Sequence, residues 1–390
     1  VFERIADDPR VRYFGNVELG RHLSRHDLLA HYHAVIYAIG APGDHELSLP
    51  GQELPGCIAA GALVGWYNGH PDHRDINVDL STPRAVVIGN GNVALDVARI
   101  LTRTPEQLAR TDIAEHALVT LARSRIEEVL VLGRRGPEQA AFTHAQLHRL
   151  AMLHDTDVVV DDGEVTVPAA LREHRPGMAA QRNLALLQEL AARPPGRRRR
   201  IALRFLLSPT RITGQQHVEA IELVRNHLSR ETSGSLRAHP TNARTTVPAG
   251  LVVSAIGHRG VPVAGLPFDP HRHAIASHDG RIAMPNAGFT PEYVVGWAKR
   301  GPTGVVGTNK KCARDTVRAL TQDLLAGRLT PPARDPSSIP ALLRHRQAAP
   351  FTYDDWVALD HHERSTGQRV GAPRVKLTRV SDLLELRHAA

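Results

Sequence analysis

Short apolar runs alternate with amphipathic stretches along this chain, and that alternation predicts an α/β fold. The first run, His33 to Ile39, ends at Gly40, and Pro50-Gly51 and Pro55-Gly56 then mark turns. Arg84 to Ile88 reads as a buried parallel strand, and Asn92 to Thr102 as a helix with Val93, Val97 and Ile100 on one face. Glu128 to Leu132 reads as a second strand closed by Gly133, and Leu251 to Ile256 as a third that ends at Gly257. Arg172 to Arg200 reads as an Arg-rich helical stretch, broken by Pro194-Pro195-Gly196 into a loop at a domain edge. Four prolines from Pro331 to Pro340 are expected to wrap the surface before a last helix at Ser381 to Arg387. At 390 residues the chain exceeds one compact domain, so two or three are expected.

Composition narrows the class. Hydrophobic residues make up 42% and charged residues 23%, which is globular usage, and no apolar run reaches the length of a membrane span. The chain opens Val1-Phe2-Glu3-Arg4, with neither a secretory signal layout nor an initiator Met, so the start of the protein is expected to lie upstream. Cys57 and Cys312 are too few and too far apart for a disulfide framework or a zinc site, and no Cys-x-x-Cys exists. Buried thiols and a cytoplasmic compartment are the expectation. The net charge of +8 admits nucleic acid, a membrane surface or an acidic protein. With only 4% aromatic residues and no recognition motif, nucleic acid ranks last and an acidic protein partner first. His361-His362 and His271 to His273 are tight histidine clusters without a third ligand at zinc spacing, so surface histidine is expected rather than metal.

The clearest chemistry lies at Gly89-Asn90-Gly91-Asn92-Val93-Ala94, a G-x-G-x-x-A between a strand and a helix. Gly89 permits the tight turn, Gly91 lets backbone approach a pyrophosphate, and Ala94 lets helix and strand pack closely. The helix N-terminus offers free N–H groups and the positive end of its dipole. The alternative is a tight turn with no nucleotide. The tip of the second strand selects the nucleotide. An NAD site puts an acid there for the ribose 2′-hydroxyl, whereas this chain has Gly133-Arg134-Arg135-Gly136. Two guanidinium groups suit the 2′-phosphate of NADP; the alternative is a solvated arginine pair.

Five segments together resemble the adrenodoxin reductase type of ferredoxin–NADP reductase. They are Phe14-Gly15-Asn16-Val17, Val64 to Gly69 (Val-Gly-Trp-Tyr-Asn-Gly), Ile88 to Ile100, Gly133 to Thr143, and Val295 to Asn309, which contains Gly-Trp-Ala-Lys-Arg-Gly-Pro-Thr-Gly-Val. The resemblance implies two interleaved, Rossmann-like dinucleotide-binding domains. The NADP domain would span 45–260, and 1–44 with 261–390 would form a discontinuous FAD domain. It assigns Asn90, Gly91, Asn92 and Val93 to the NADP pyrophosphate and Arg134 and Arg135 to the 2′-phosphate. Trp297 and the backbone of Gly304, Val305 and Val306 would lie against the flavin, with Gly304 also near the nicotinamide, and Val17 near the adenine of FAD. Gln146 stands where the family has a Glu that contacts the cofactor, and Asp96, one turn into the NADP helix, is expected near the nicotinamide as a catalytic group; the alternative is a polar position on an amphipathic helix.

The family begins with a second Gly-rich turn for the FAD pyrophosphate, and this chain holds one such fingerprint, at Gly89. The FAD domain is therefore expected to be incomplete at its N-terminus and to hold FAD weakly. The resemblance implies a monomer passing electrons from NADPH through FAD to an acidic, ferredoxin-like iron–sulfur protein. Docking is expected on Arg175, Arg182 and Arg197–Arg200. A rival reading is an NADP-binding remnant or regulatory module without flavin turnover. A glutamate synthase small subunit is another rival, but the chain lacks that protein's cysteine-rich cluster segments.

Overall fold

The computed structural model describes residues 2–165, 177–232, 235–284, 288–304 and 306–389. The chain divides into two compact units. One comprises Val1–Gly43, His258–His362 and Val380–Ala390; the other comprises Asp44–Gly257 and Glu363–Arg379.

The second unit is built on a six-stranded parallel sheet. Its order is Cys57–Ala59, Leu251–Ser254, Arg84–Ile88, Glu128–Leu132, Arg199–Arg204, Thr156–Val160. The strand Arg84–Ile88 is apolar after its first residue because both faces are covered. Ala85 and Val87 face the helices, packing with Ala94, Val97, Ala98 and Leu101 of the helix Asn92–Thr102. Val86 and Ile88 face the other way, onto Ile212, Ile221 and Leu223. These belong to a three-stranded antiparallel sheet, Leu207–Thr213, Ala220–Arg230 and Leu236–Pro248. One face of the parallel sheet is thus covered by helices and the other by a second sheet.

The connection from Arg84–Ile88 goes to Glu128–Leu132 on one side, whereas Leu251–Ser254 joins the other side later in the chain. The carboxyl end of Arg84–Ile88 is therefore a topological switch point, where open α/β sheets bind ligands.

The first unit holds a four-stranded sheet ordered Val35–Tyr37, Glu292–Val294, Arg281–Ile282, Ser277–His278. Its long helix, Val306–Leu325, carries Asp323, which is 1% exposed. Asp323 accepts from Arg281 Nε at 2.6 Å and from the Tyr293 hydroxyl at 2.8 Å. On the same sheet, buried Glu292 accepts a bidentate pair from Arg25 and the hydroxyl of Tyr37 at 2.9 Å.

Three expectations need correction. Arg199 and Arg200 are not helical: the helix runs Met178–Ala191, and Arg199–Arg204 is an internal strand next to the sheet's edge, drawn in by Ile201, Ala202 and Leu203. The segment Glu363–Arg379 groups with the second compact unit, whereas the sequence reading placed it in the 261–390 segment. There Glu363 accepts the N–H of Leu377 at 2.9 Å and pairs with Arg374, and Lys376 donates to the Asn68 carbonyl at 3.1 Å. The proline-rich stretch is followed by two helices, Ile339–His345 and Tyr353–Val370, ahead of the last one at Val380–Ala389.

Candidate functional site

The turn after Arg84–Ile88 is held by its glycines. Gly89 has φ +123°, and a Cβ there would stand 2.2 Å from the carbonyl oxygen of Ala255. Its N–H donates to Leu132 at 2.9 Å, which fastens the turn to the second strand. Gly91 is the N-cap of the helix Asn92–Thr102 and has no capping side chain. A Cβ on Gly91 would meet nothing within 4 Å. The first-turn donors of this helix thus have no acceptor from a cap, and backbone lies open beside them. Such an end suits phosphate. Ala94 is fully buried, as close helix–strand packing requires.

A cavity of about 650 Å³ opens at this carboxyl edge. Gly89, Asn90 and Gly91 form one wall, Gly133, Arg134 and Arg135 another, and Ser208 with Pro209 a third. Arg134 and Arg135 are exposed, and among the described residues neither guanidinium has a protein partner. No acidic side chain stands at the strand tip, Gly133 to Gly136; the cavity's one acidic lining residue among the described residues is Glu46, from a different segment. The arginine loop is nevertheless anchored. Arg134 O accepts from Asn226 Nδ2 at 2.8 Å, Arg135 O from the N–H of Leu206 at 3.1 Å, and Gly133 O from Leu207 at 3.0 Å. Gly133 lets the Asn90 side chain lie close: a Cβ there would stand 2.5 Å from Asn90 Nδ2 and displace that amide.

Asp96 is a paired carboxylate and does not line the cavity. One oxygen accepts from Arg99 at 2.6 Å, the other from Gln146 Nε2 at 3.4 Å. Gln146 lies in the first turn of the helix His144–Ala151, whose N-cap Thr143 donates its N–H to Asn92 Oδ1 at 2.8 Å. Burial, with the Asp96 charge adding, pushes the neighbouring Tyr67 hydroxyl up to about 12. Val93 packs on the core of the unit. Sequence reasoning missed Ser208 and Asn226, which arrive from the antiparallel sheet. The one signal was Asn226 itself, a polar residue in a strand that buries Ile221, Leu223 and Val224.

In the first unit, Val17 lines an apolar cavity of about 400 Å³ with Phe14, Leu28, Tyr32 and Val35. Trp297 stacks on His258 with ring centroids 5.8 Å apart, and its indole nitrogen is buried without a protein acceptor. Gly296 (φ +66°) and Gly301 (φ +75°) bracket the short helix Trp297–Arg300, and Gly304 (φ +79°) follows in the next turn. A half-buried indole with an orphaned donor, next to glycine-opened backbone, fits a planar polar heterocycle such as flavin. Val305 lies outside the described residues, and Val306 begins the helix Val306–Leu325.

Known proteins with this pattern decide the family. NADPH-ferredoxin reductase FprA of Mycobacterium tuberculosis is 47% identical over 392 residues, which is 99% of this chain and 85% of the relative. The bovine mitochondrial NADPH:adrenodoxin oxidoreductase is 39% identical over 399 residues, 99% of this chain and 80% of the relative. The solved structure of M. tuberculosis FprA in complex with NADPH superposes with a TM-score of 0.93 and covers 99% of this chain and 85% of its own. This chain belongs to the ferredoxin–NADP reductase family of the adrenodoxin reductase type. No family model matches it.

Family membership agrees with the parallel sheet and the Gly89 turn, which form a dinucleotide-binding fold. No helix among the described residues is long and apolar enough to cross a membrane.

The arginine run is less available than the sequence suggests. Arg198 pairs with Glu127 at 3.1 Å, Arg200 with Glu128 at 2.6 Å, and Arg199 donates to the carbonyl of Arg103 at 2.8 Å. Only Arg197 of the four is exposed with no side-chain partner among the described residues; Arg182 is exposed likewise. Arg175 lies outside the described residues.

Proposed function

We propose that this chain is an NADPH-dependent flavoenzyme that passes electrons through FAD to a ferredoxin-like iron–sulfur protein. The observation that carries the reading is the joining, in one cavity, of an uncapped helix start at Gly91 and two unpaired guanidiniums at Arg134 and Arg135. The Gly91 helix start and Asn90 hold the pyrophosphate, and the two arginines hold the 2′-phosphate. Gln146, which donates to Asp96 at 3.4 Å, is the neutral counterpart of the family's cofactor-contacting Glu. When bound, the flavin supplies the conversion of a two-electron hydride donor into one-electron transfers. Trp297 and the Gly304 backbone orient it, and Val17 contributes to the apolar seat of its adenine. No protein nucleophile is required.

The reading is tested by nucleotide binding and by turnover. NADPH is expected to bind far more tightly than NADH, and replacing both arginines by Ala to cost about 3–6 kcal/mol for two charge-assisted contacts. Equal binding of NADH and NADPH by the native chain would sink it.

The iron–sulfur partner is acidic in this proposal and docks on a basic surface that includes Arg182 and Arg197. Association steered by opposite charges weakens as added salt shortens the Debye length from about 10 Å at 0.1 M to about 3 Å at 1 M. Partner reduction by the enzyme, a monomer in the cytoplasm, is expected to slow at high salt while NADPH oxidation with a neutral dye acceptor changes less. A rate indifferent to ionic strength counts against an acidic partner.

A further inference from the structure

Asn226 is 4% exposed, and its carboxamide nitrogen lies 2.8 Å from two oxygens, the Arg134 carbonyl and Ser208 Oγ. A carbonyl oxygen can only accept, so the group facing it must be the NH₂ end, which fixes the orientation of the amide. Both amide hydrogens are then committed, one to Arg134 and one to Ser208. Ser208 Oγ is the acceptor in that bond, so its own proton points elsewhere. No acceptor for it exists among the described residues. Ser208 meanwhile lines the cavity beside Arg134, Arg135 and Pro209.

We propose that Ser208 is a third donor to the 2′-phosphate of NADP(H), its proton turned into the cavity by Asn226. The inference rests on reading Arg134 and Arg135 as the 2′-phosphate pair. A phosphate monoester presents three peripheral oxygens, more than two guanidinium groups at one edge saturate. A hydroxyl across the cavity supplies the remaining bond, and a bond to a charged oxygen is about twice as strong as one to a neutral ribose hydroxyl. Ser208 therefore discriminates between the two nucleotides rather than binding both alike. Asn226 is a positioning residue: one amide tethers the arginine loop and sets the rotamer of the serine, so the spacing between the donors is fixed by a single buried side chain.

Calorimetric titration of 2′,5′-ADP and 5′-ADP tests this without turnover. Ser208→Ala is expected to weaken 2′,5′-ADP about tenfold, equivalent to about 1.4 kcal/mol, and 5′-ADP less than about twofold. Ser208→Thr, which keeps the hydroxyl, is expected to stay close to the native preference. Asn226→Ala, where it folds, reproduces the Ser208→Ala loss. Unchanged 2′,5′-ADP binding in Ser208→Ala, with preference lost in the Arg134→Ala/Arg135→Ala variant, overturns the role of Ser208 and leaves the arginine reading standing. Preference that survives the double arginine change overturns both. An equal loss of both nucleotides in Ser208→Ala also overturns the proposal, because it marks a disturbed cavity and not a lost phosphate contact.

Discussion

Asn92 Oδ1 accepts the backbone N–H of Thr143 at 2.8 Å, joining the start of the Gly91 helix to a loop 51 positions along the chain. The loop that carries Arg134 and Arg135 is thereby tied at its far end, while Gly133, at its near end, donates to Arg204 at 2.8 Å. Pyrophosphate cradle and arginine pair are held as one piece.

Asn92→Ala removes that tie and leaves the Thr143 N–H without its acceptor. A net hydrogen bond of about 1 kcal/mol corresponds to roughly fivefold in NADPH affinity. The loss should appear in fluorescence titrations with NADPH and be smaller with 5′-ADP, which does not need the arginines. An NADPH dissociation constant identical to the native one would show that the loop does not depend on Asn92.

The two glycines of the turn should respond in opposite ways. Gly89→Ala forces an L side chain to φ +123° with its Cβ 2.2 Å from the Ala255 carbonyl oxygen, so the fold itself is strained. A loss of at least about 1–3 kcal/mol in unfolding free energy is expected. Gly91→Ala meets no protein atom within 4 Å at an ordinary φ of −91°. Its stability should stay within about 0.5 kcal/mol of native, while the methyl group obstructs the pyrophosphate and NADPH binding falls tenfold or more. Thermal melts and nucleotide titrations on the same two proteins separate the effects. Native-like NADPH affinity in Gly91→Ala would place the phosphates elsewhere.

Much of this unit was legible in the sequence because local rules and tertiary packing agree there. Arg84–Ile88, Glu128–Leu132 and Asn92–Thr102 have the predicted ends, since a continuous apolar run and a glycine turn each admit one arrangement in a parallel sheet. The antiparallel sheet that covers the other face was not legible. Leu236–Pro248 is largely exposed and polar, so it shows neither a buried run nor a clean alternation. Arg199 and Arg200 were misread for a related reason: their charges are carried by partners distant in sequence, Glu128 among them, which no local pattern reveals. Ser208 and Asn226 share that character. Their importance lies in a contact to Arg134, not in any motif.

Cys57 should be a poor nucleophile. Burial, with the charge of Glu53 adding, pushes its thiol up to about 11. At pH 8 a free thiol of pKa about 8.5 is roughly a quarter ionised, so Cys57 carries on the order of a hundredfold fewer thiolates. Iodoacetamide labelling of the native protein, read by mass spectrometry of the Cys57 peptide, should be slower than that of glutathione by a similar factor. Labelling at the glutathione rate would contradict the buried environment.

Asp323 ties the first unit's long helix to its sheet, and its effect on stability should depend on pH. The Arg281 guanidinium bonded to it lowers its carboxyl below the ordinary value, against a smaller opposing effect of burial, and the Tyr293 hydroxyl and Arg328 add to the lowering. A depressed folded-state value means that the unfolded chain takes up the proton first. The stabilisation is therefore present above the unfolded carboxyl pKa of about 3.9 and lost as pH falls through the folded value. Asp323→Asn keeps an acceptor oxygen but has no charge to titrate. It should be less stable than the native chain at pH 7, by up to the roughly 3–5 kcal/mol seen when a buried pair is broken. The difference should begin to narrow as pH falls through about 3.9, where the unfolded chain takes up the proton, and should go on narrowing until the folded carboxyl is neutral as well. Other depressed carboxylates, Asp27 beside Arg346 among them, act on both proteins and cancel in the comparison. Denaturant midpoints measured at several pH values give the difference directly. A gap between the two proteins that stays constant down to pH 3 would show that Asp323 stabilises the helix through packing alone.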